Sequence, residues 1–240
     1  MKTEKSSKSS KKIPIQRKTP KIRVLAYGGY VKGEETRQRI LDAALKAFGD
    51  GSFLAVTTRQ ISQAAQVSLP TLQYYFGDKE GLYRACAEAI VERIRRNTTG
   101  AAAEAANTLK QECTPETARS HLKAVIGALA SFLVGSMEAE RWAQFVAREL
   151  RDPGPAFEIL YANLWKPGVE LTARLIARIM GRPESDPAAR VQALMLISSL
   201  LVFQSGRKMP LRAMQWTSVG PKELAMILAG LDAQIDAIRG

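Results

Sequence analysis

The segment from Thr57 to Lys79 constrains the fold of this chain more than any other stretch of the sequence. Gln60 follows Thr57 at the spacing of a capping box, which marks the start of a helix. Ser68 and Pro70 mark the start of a second helix, because serine is a good N-cap and proline fits the first helical turn. The short distance between these signals predicts two small helices joined by a tight turn.

The order of apolar and polar residues indicates which sides of the two helices are buried. We expect the first helix to end near Gln66. The inward-facing positions are then Ile61, Ala64, Ala65, Val67, Leu72 and Tyr75, and the outward-facing positions of the second helix are Leu69, Thr71, Gln73 and Tyr74. This pattern is typical of a helix-turn-helix that places its second helix in the major groove of DNA. The alternative is an ordinary helical hairpin within an all-α core.

The flanking sequence predicts one further helix on each side of this segment. Upstream, the residues on one helical face are Ile40, Leu41, Ala44, Leu45 and Phe48, and Gly49 and Gly51 end the helix. Downstream, Asp78 is an N-cap, and the following stripe consists of Leu82, Cys86, Ile90 and Ile94.

Four motifs in this order make residues 34 to about 94 resemble the TetR family of bacterial transcriptional repressors. They are R-x-x-I-L-x-A-A (Arg37 to Ala44), T-T-R-x-I (Thr57 to Ile61), P-T-L (Pro70 to Leu72) and YYF-G-x-K-E-x-L-Y (Tyr74 to Tyr83). The resemblance implies an all-α protein with an N-terminal three-helix helix-turn-helix domain and a C-terminal helical bundle for dimerisation and effector binding. We expect a basic tail at residues 1–30, the DNA-binding domain at residues 31–83 and the second domain at residues 84–240. Gln66 replaces the glycine that is usual at the turn.

The resemblance also implies a set of DNA contacts. Thr57, Thr58, Tyr74 and Tyr75 match phosphate-binding positions, and Arg59 matches a position that reaches a base edge. Pro70 and Thr71 match positions that pack on thymine methyl groups and the backbone, and Lys79 matches a lysine that clamps the backbone. Ser68, the cap of the second helix, completes the set. Gln73 departs from the usual tyrosine, so it either reads adenine or replaces one phosphate contact with another.

A narrower resemblance concerns the rest of the chain. The segments KGE (Lys32 to Glu34), LYRAC (Leu82 to Cys86), FVAREL (Phe145 to Leu150) and FQSGRK…LR…W (Phe203 to Trp216) are similar to one TetR subgroup. That subgroup is associated with the control of efflux or transport genes and with drug responses. The resemblance implies a ligand-responsive repressor that a small-molecule effector releases from a palindromic double-stranded operator.

Helical spacing of apolar residues continues to the C-terminus. We expect a short helix at Ala101–Glu112, a longer one from Thr114 to Met137, and the others at residues 138–152, 156–180, 188–204 and 222–238. Trp142, Phe145 and Leu150 should face inward, and Pro167-Gly168 should kink or break its helix. The last two helices are apolar on more than one side, which predicts a homodimer held together by them, with Leu200 and Leu228 at its interface.

We expect a small-molecule pocket between the helices of residues 115 to 180. Its aromatic lining would be Trp142, Phe145, Tyr161 and Trp165, with Arg148 as an anchor for a polar or anionic group. The alternative is that these aromatic residues belong to the core, because aromatics at helical spacing are often buried for packing alone.

The net charge of +12 is concentrated at the N-terminus. Residues 1 to 23 hold nine Lys or Arg and one Glu, which leaves only +4 of the +12 for the remaining chain. The tail has almost nothing to bury, so we expect it to be disordered. It is either an arm that contacts DNA phosphates or a solvated leader.

The sequence disfavours an enzyme and predicts no cofactor and no metal site. One histidine, His121, cannot build a two-histidine metal site, and no glycine-rich phosphate loop follows a strand. Two cysteines fit a reducing cytoplasm, and we expect Cys86 to be a small apolar residue rather than a thiol switch. We expect no membrane span. Two rivals stay open: a non-specific nucleoid-type DNA binder, and a small-molecule-binding enzyme with a vestigial DNA-binding domain.

Overall fold

The computed structural model describes residues 26–111 and 113–239, without the side chains of residues 26–31, 138 and 141. The chain divides into two units, residues 1–35 and residues 36–240. In the first unit, residues 26–35 are helical. Residues 1–25 of the basic tail that the sequence predicts at residues 1–30 lie outside the described residues, and residues 26–30 are helical rather than disordered. The predictions about DNA and effector binding all fall in the second unit.

The protein is all-α, as the sequence predicts, and the described residues contain no strand. The first four helices are α1 (Ala26–Asp50), α2 (Thr58–Ala64), α3 (Leu69–Phe76) and α4 (Lys79–Thr108). The next four are α5 (Pro115–Gly135), α6 (Met137–Arg151), α7 (Phe157–Leu160) and α8 (Lys166–Ile179), with a π-helical turn at Tyr161–Trp165. The last three are α9 (Pro187–Gln204), α10 (Lys208–Ala213) and α11 (Pro221–Asp236).

Helices α2 and α3 begin at the caps that the sequence predicts. The Thr57 hydroxyl accepts a hydrogen bond from the Gln60 N–H at 3.2 Å, and the Gln60 side chain accepts one from the Thr57 N–H at 2.8 Å. Ser68 caps α3 by accepting a bond from the Thr71 N–H at 3.2 Å. Each cap satisfies backbone donors that have no partner within the helix. These bonds depend only on residues three apart, which is why the sequence locates both helices.

The turn between α2 and α3 contains one residue in the left-handed region. Gln66 has φ of 55°, so the position where the family usually has glycine does adopt the backbone that favours glycine. The expected burial is correct for Ile61 and Leu72, both fully buried, but wrong for Ala64, which is exposed. α2 ends at Ala64, so this residue lies at its open end and leaves the contact with α3 to Ala65.

The core beneath α2 and α3 is built by α1 and α4. All five apolar residues that the sequence assigns to one face of α1 are buried, namely Ile40, Leu41, Ala44, Leu45 and Phe48. The Phe48 ring packs edge-on against Tyr83 of α4, with ring centroids 4.7 Å apart. Cys86 is fully buried in the same core, and burial raises the pKa of its thiol well above the ordinary value. A protonated, inaccessible thiol is a packing residue and not a reactive one.

Helix α4 differs from the prediction because it is one continuous helix of 30 residues. The expected separate helix at Ala101–Glu112 is wrong, since α4 runs through Gly100 to Thr108. Glycine in a helix costs about 1 kcal/mol relative to alanine, a cost that packing against α5 outweighs here. The predicted domain boundary at residues 83 and 84 therefore falls within a single helix.

Two further expectations about the middle of the chain need correction. The helix expected to reach Met137 ends at Gly135, and Met137 begins α6. Leu150, expected to face inward, is 43% exposed because it lies beside the end of α6, where the neighbouring Glu149 takes the inner position. The irregularity expected at Pro167-Gly168 starts before the proline. The Lys166 N–H bonds to the Tyr161 carbonyl five residues back, which widens the helix into a π turn.

Helix α9 leaves apolar side chains uncovered. Val191, Leu194 and Met195 are 55%, 48% and 68% exposed, whereas Leu200 is buried within the chain. By length and composition alone α9 qualifies as a candidate membrane span, which differs from the prediction of no span. One such helix is weak evidence, and α9 packs against α8 and α5.

The left-handed residue in the turn gives the first testable prediction. We expect Gln66→Gly to raise the free energy of unfolding by about 1 kcal/mol, because glycine removes most of the left-handed penalty. Thermal and urea denaturation measure the change. The matched control is Gln63→Gly, which places glycine within α2 and should destabilise by about 1 kcal/mol. A destabilising Gln66→Gly would show that the Gln66 side chain contributes more than its backbone strain costs.

Candidate nucleic-acid interface and effector cavity

The outer surface of α2 and α3 presents the residues predicted to bind DNA. Arg59 on the first turn of α2 is exposed, and its guanidinium has no partner among the described residues. Gln73 and Tyr74 on α3 are also exposed, Tyr74 to 84%. The Tyr74 ring packs edge-on against Tyr75, with centroids 5.2 Å apart, and Tyr75 is half-buried. An uncommitted arginine, amide and phenol on one exposed surface are groups that hydrogen-bond base edges and phosphates.

The remaining predicted DNA contacts are exposed or half-buried residues at the two helix starts. Thr57 and Pro70 are exposed and Thr58 is half-buried. The Ser68 and Thr71 hydroxyls are 2.8 Å apart, so they bond each other as well as capping α3. Capped N-termini with exposed hydroxyls suit phosphate oxygens, because their N–H groups and dipoles favour negative charge.

Lys79 differs from the expectation of a free backbone clamp. Its ammonium donates to the Leu54 carbonyl at 3.3 Å and lies 4.8 Å from the centre of the Phe53 ring. Both residues belong to the loop between α1 and α2. Lys79 therefore holds this loop against the start of α4, and the same ammonium must reorient or share its donors to bind phosphate.

A cavity of about 620 Å³ lies between α4, α5, α6, the π turn with the start of α8, and α9. Its floor consists of buried apolar residues such as Ile94, Ile126, Leu133 and Val146. Its exposed lining residues, among them Arg95 and Glu170, mark a mouth between α4 and the start of α8. The volume is within the range of small-molecule sites in proteins, which are concave and mostly apolar.

Two of the five predicted effector residues line this cavity and three do not. Trp142 and Trp165 are lining residues. Phe145 is fully buried against Tyr83, with ring centroids 4.7 Å apart, so it belongs to the core. Tyr161 is 45% exposed and stacks on Phe157 outside the cavity. Arg148 points to α1 instead, because α6 turns successive side chains to different sides and only one face meets the cavity.

One wall of the cavity consists of residues that are not among the predicted effector contacts. Thr98, Ala102 and Ala106 of α4 line it, and Gln204 at the end of α9 closes it from another side. The spacing of the three α4 residues continues the stripe of Val91 and Ile94, which is the sequence signal that identifies this wall. Their small side chains leave the space that larger residues would fill.

Helix α6 joins the cavity to the DNA-binding region. Arg148 donates to the Gly49 carbonyl near the end of α1 at 3.2 Å. The Tyr83 hydroxyl donates to the Glu149 carboxyl at 2.6 Å, and both residues are 1% exposed. Burial and the neighbouring Glu149 raise the pKa of the Tyr83 phenol, so it remains a donor at neutral pH. Trp142 is on the same helix, so one rigid element contacts the cavity, α1 and α4.

Two family models match the chain over the regions just described. Residues 40–86 match the N-terminal domain of bacterial regulatory proteins of the tetR family. Residues 118–240, more than half of the chain, match the C-terminal domain of the HTH-type transcriptional dual regulator CecR. The chain belongs to the TetR family, with a C-terminal domain of the CecR type.

Individual proteins agree with this assignment. CecR of Shigella flexneri is 28% identical to this TetR-family chain over 211 residues, covering 87% of the chain and 93% of CecR. The regulator BetI of Rhizobium meliloti is 28% identical over 178 residues, covering 73% of the chain and 80% of BetI. The fold alone is shared with the structure of FadR from Bacillus subtilis in complex with stearoyl-CoA, which has a TM-score of 0.55 and 16% identity, in a match that covers 84% of this chain and 98% of FadR.

This TetR-family chain is therefore a DNA-binding transcriptional regulator and not an enzyme. Its α2–α3 pair is the helix-turn-helix that the sequence predicts. This excludes the alternative of an ordinary helical hairpin within an all-α core. Within residues 26–111 and 113–239, no group of three or more His, Cys, Asp or Glu is arranged to hold a metal ion. His121, the only histidine, forms a 3.0 Å hydrogen bond with the Thr108 hydroxyl between α5 and α4.

The buried Tyr83–Glu149 pair gives the second testable prediction. We expect Tyr83→Phe to lower the free energy of unfolding by about 1–3 kcal/mol, because among the described residues the buried Glu149 carboxyl then keeps only the Gly154 N–H, at 3.1 Å, as a partner. Urea denaturation measures the loss. The matched control is Tyr74→Phe at an exposed position, where stability should stay within about 0.5 kcal/mol. Equal stability of the two variants would show that the buried bond makes no net contribution.

Proposed function

We propose that this regulator is a homodimeric repressor that binds a palindromic operator and is released when a small molecule occupies the cavity. The observation that carries the proposal is the connection of α6 to both sites, with Trp142 at the cavity and with Arg148 and Glu149 at α1 and α4. A protein that only bound DNA would need neither an open apolar cavity nor a helix that links it to the DNA-binding region.

The DNA-reading part of the proposal divides the predicted contacts into two classes. Arg59 and Gln73 are exposed and uncommitted, so we assign them to base edges. The hydroxyls and N–H groups at the starts of α2 and α3, together with Tyr74 and Tyr75, are assigned to phosphates. Base contacts specify a sequence and phosphate contacts fix the register, so only the first class should affect operator preference.

The effector part of the proposal rests on a two-state element. A ligand that contacts Trp142 and favours one position of α6 biases the contacts of Arg148 with α1 and of Glu149 with Tyr83. The two recognition helices of the dimer then no longer fit into successive major grooves. The centres of two half-sites separated by one helical turn of DNA lie roughly 34–36 Å apart. Effector and operator must weaken each other's binding by the same factor, because the coupling free energy is reciprocal.

The dimer part of the proposal is supported by the uncovered surface of α9 and α11. Val191, Leu194 and Met195 of α9 and Met226 of α11 are exposed large apolar residues. A second copy of the chain is the occupant that this family membership favours. Leu200 is excluded as an interface contact because it is 1% exposed within one chain, and Leu228 is half-buried in the core.

The cellular part of the proposal follows from the relatives. They are bacterial transcription regulators, so we place this chain in the cytoplasm, and the subgroup resemblance supports transport or efflux genes as its targets. The upstream region of its own gene provides the test. A palindrome shared with a neighbouring transporter promoter supports this assignment. Binding of the protein to unrelated promoters alone contradicts it.

The DNA contacts give the third testable prediction. Selection from a random duplex library should yield a palindrome, and Arg59→Ala should relax preference at one base pair in each half-site, losing about 1–3 kcal/mol of discrimination. Lys79→Ala should weaken binding to all duplexes by the same factor and make the affinity less dependent on salt concentration. Fluorescence anisotropy on the selected and on scrambled duplexes measures both effects.

The controls for this experiment address folding and non-specific binding. Lys110→Ala removes an exposed lysine far along the chain from α2 and α3 and should leave both affinities unchanged. A denaturation curve accompanies Lys79→Ala, because Lys79 also holds the Leu54 loop. If Arg59→Ala lowered the affinity for specific and for scrambled DNA by the same factor, Arg59 would not be a base-reading residue. Failure of the selection to yield any preferred sequence would favour the nucleoid-type rival.

The exposed face of α9 gives the fourth testable prediction. Leu194→Asp combined with Met195→Asp should shift the protein from dimer to monomer at micromolar concentration, because two carboxylates would be buried without partners. Analytical ultracentrifugation measures the mass. The control places aspartate at Ala103, an exposed α4 residue at the cavity mouth, and should leave the dimer intact. A variant that stays dimeric would exclude this face as the interface.

A further inference from the structure

We propose that Arg207 is a positioning residue that sets the distance between the two DNA half-sites that the dimer recognises. This inference rests on the proposed function, because it assumes a homodimer on a palindromic operator, and it adds what determines the spacing of that operator. Three observations carry it: the anchoring of α6 at the junction of α9 and α10, the burial of the Arg207 side chain, and the bonds from the other end of α6 to α1 and α4.

The first observation concerns the short junction between α9 and α10. The Arg207 guanidinium donates to the Glu140 carboxylate near the start of α6 and to the Val134 carbonyl near the end of α5. One turn further along α6, the Gln144 side chain donates to the Ser205 carbonyl at 3.2 Å. Glu140 and Gln144 are four residues apart, so they lie on the same face of α6. Two polar contacts therefore hold the start of α6 against this junction.

The same junction is a direct continuation of α9. The Ser205 and Gly206 N–H groups both donate to the Leu201 carbonyl, at 2.8 and 3.3 Å. A Cβ atom on Gly206 would lie 3.2 Å from the Val202 carbonyl oxygen, so the chain passes close to the end of α9. The junction therefore keeps a defined position relative to α9, whose exposed apolar face is the proposed dimer interface.

The second observation concerns the burial of Arg207. Its side chain is 16% exposed, and its Nε has no hydrogen-bond partner among the described residues. Burying a guanidinium costs free energy, and replacing a buried ion pair by apolar residues often leaves a protein equally stable. Stability alone therefore does not account for an arginine at this position. The rigid fork of donors instead fixes one position of α6 relative to α5 and α9.

The third observation concerns the far end of α6. Arg148 donates to the Gly49 carbonyl near the end of α1, and Glu149 accepts from the Tyr83 hydroxyl of α4. A helix of 15 residues spans about 22 Å, so α6 connects the junction at α9 with the helices beneath α2 and α3. In a dimer formed through α9, a shift of α6 in each protomer changes the distance between the two recognition helices. The anchor at Arg207 therefore selects one half-site spacing.

Operators of altered spacing test this role. The palindrome selected from the random library is compared with versions that have one base pair added or removed at its centre. Arg207→Met keeps a long side chain but removes the bonds to α5 and α6. It should lower the preference for the original spacing about threefold to tenfold, the size of effect expected of one residue that couples two sites. The affinity for a single half-site should not change. Fluorescence anisotropy measures each affinity, and analytical ultracentrifugation verifies that the variant is a dimer.

The matched control is Arg182→Met, which breaks the Arg182–Asp186 ion pair, at 3.3 Å, before the start of α9 and leaves the junction intact. It should keep the original spacing preference. A dimeric Arg207→Met variant with an unchanged spacing preference would overturn the proposal while the proposed function stands. Equal loss of affinity for every spacing and for a single half-site would also overturn it, because that result indicates a general defect. A lack of any preferred spacing before substitution would contradict the proposed function and this inference together.

A measurement without DNA keeps the proposal testable if Arg207→Met does not fold. Glu140→Ala breaks the same ion pair from its more exposed side, because the Glu140 side chain is 53% exposed. A spin label attached through Lys46→Cys, at an exposed position of α1, reports the distance between the two protomers, and both native cysteines are buried. Double electron–electron resonance should show a broader distance distribution with Glu140→Ala than without it. Equal widths would overturn the proposal.

Discussion

The continuity of α4 is the constraint on which the rest of the structure depends. This helix begins at the cap beside the recognition helix and extends along the cavity to Thr108. Its first turns contribute Leu82, Tyr83 and Cys86 to the core of the DNA-binding region, and its later turns form a wall of the cavity. A break between the two parts would allow them to move independently. One unbroken helix gives the cavity wall and the DNA-binding core a common position.

Helix α6 completes the connection because it contacts both ends of this arrangement. Its inner face turns Trp142 to the cavity, and its last turn places Arg148 on the α1 carbonyl and Glu149 on Tyr83. The Tyr83–Glu149 bond is buried and the Arg148–Gly49 bond is partly buried, so a shift of α6 that breaks them costs free energy. In the function proposed above, regulation is therefore a competition between two sets of contacts, one offered by the ligand and one by α1 and α4.

The cavity and the DNA surface differ in the side-chain groups that they offer to a binding partner. The DNA surface presents exposed, uncommitted groups, of which Arg59 and Gln73 are the base-reading candidates, and these gain partners only on the duplex. The cavity is instead lined mostly by buried apolar side chains, such as Ile94, Ile126 and Leu133. Exposed donors are paired with water and give specificity through geometry, whereas apolar surface that a ligand covers gives affinity without fixing a direction.

The sequence by itself determined the caps of α2 and α3, the buried face of α1 and the exposed residues of the recognition helix. These features depend on hydrogen bonds and periodicities within a few residues, so Thr57, Ser68 and Gln66 indicate them without knowledge of the fold. The tertiary structure alone decided that α4 is continuous and that Arg148 bonds to Gly49 rather than lining the cavity. Such outcomes depend on which distant helix packs against a given face, and residue spacing along one helix does not specify its neighbour.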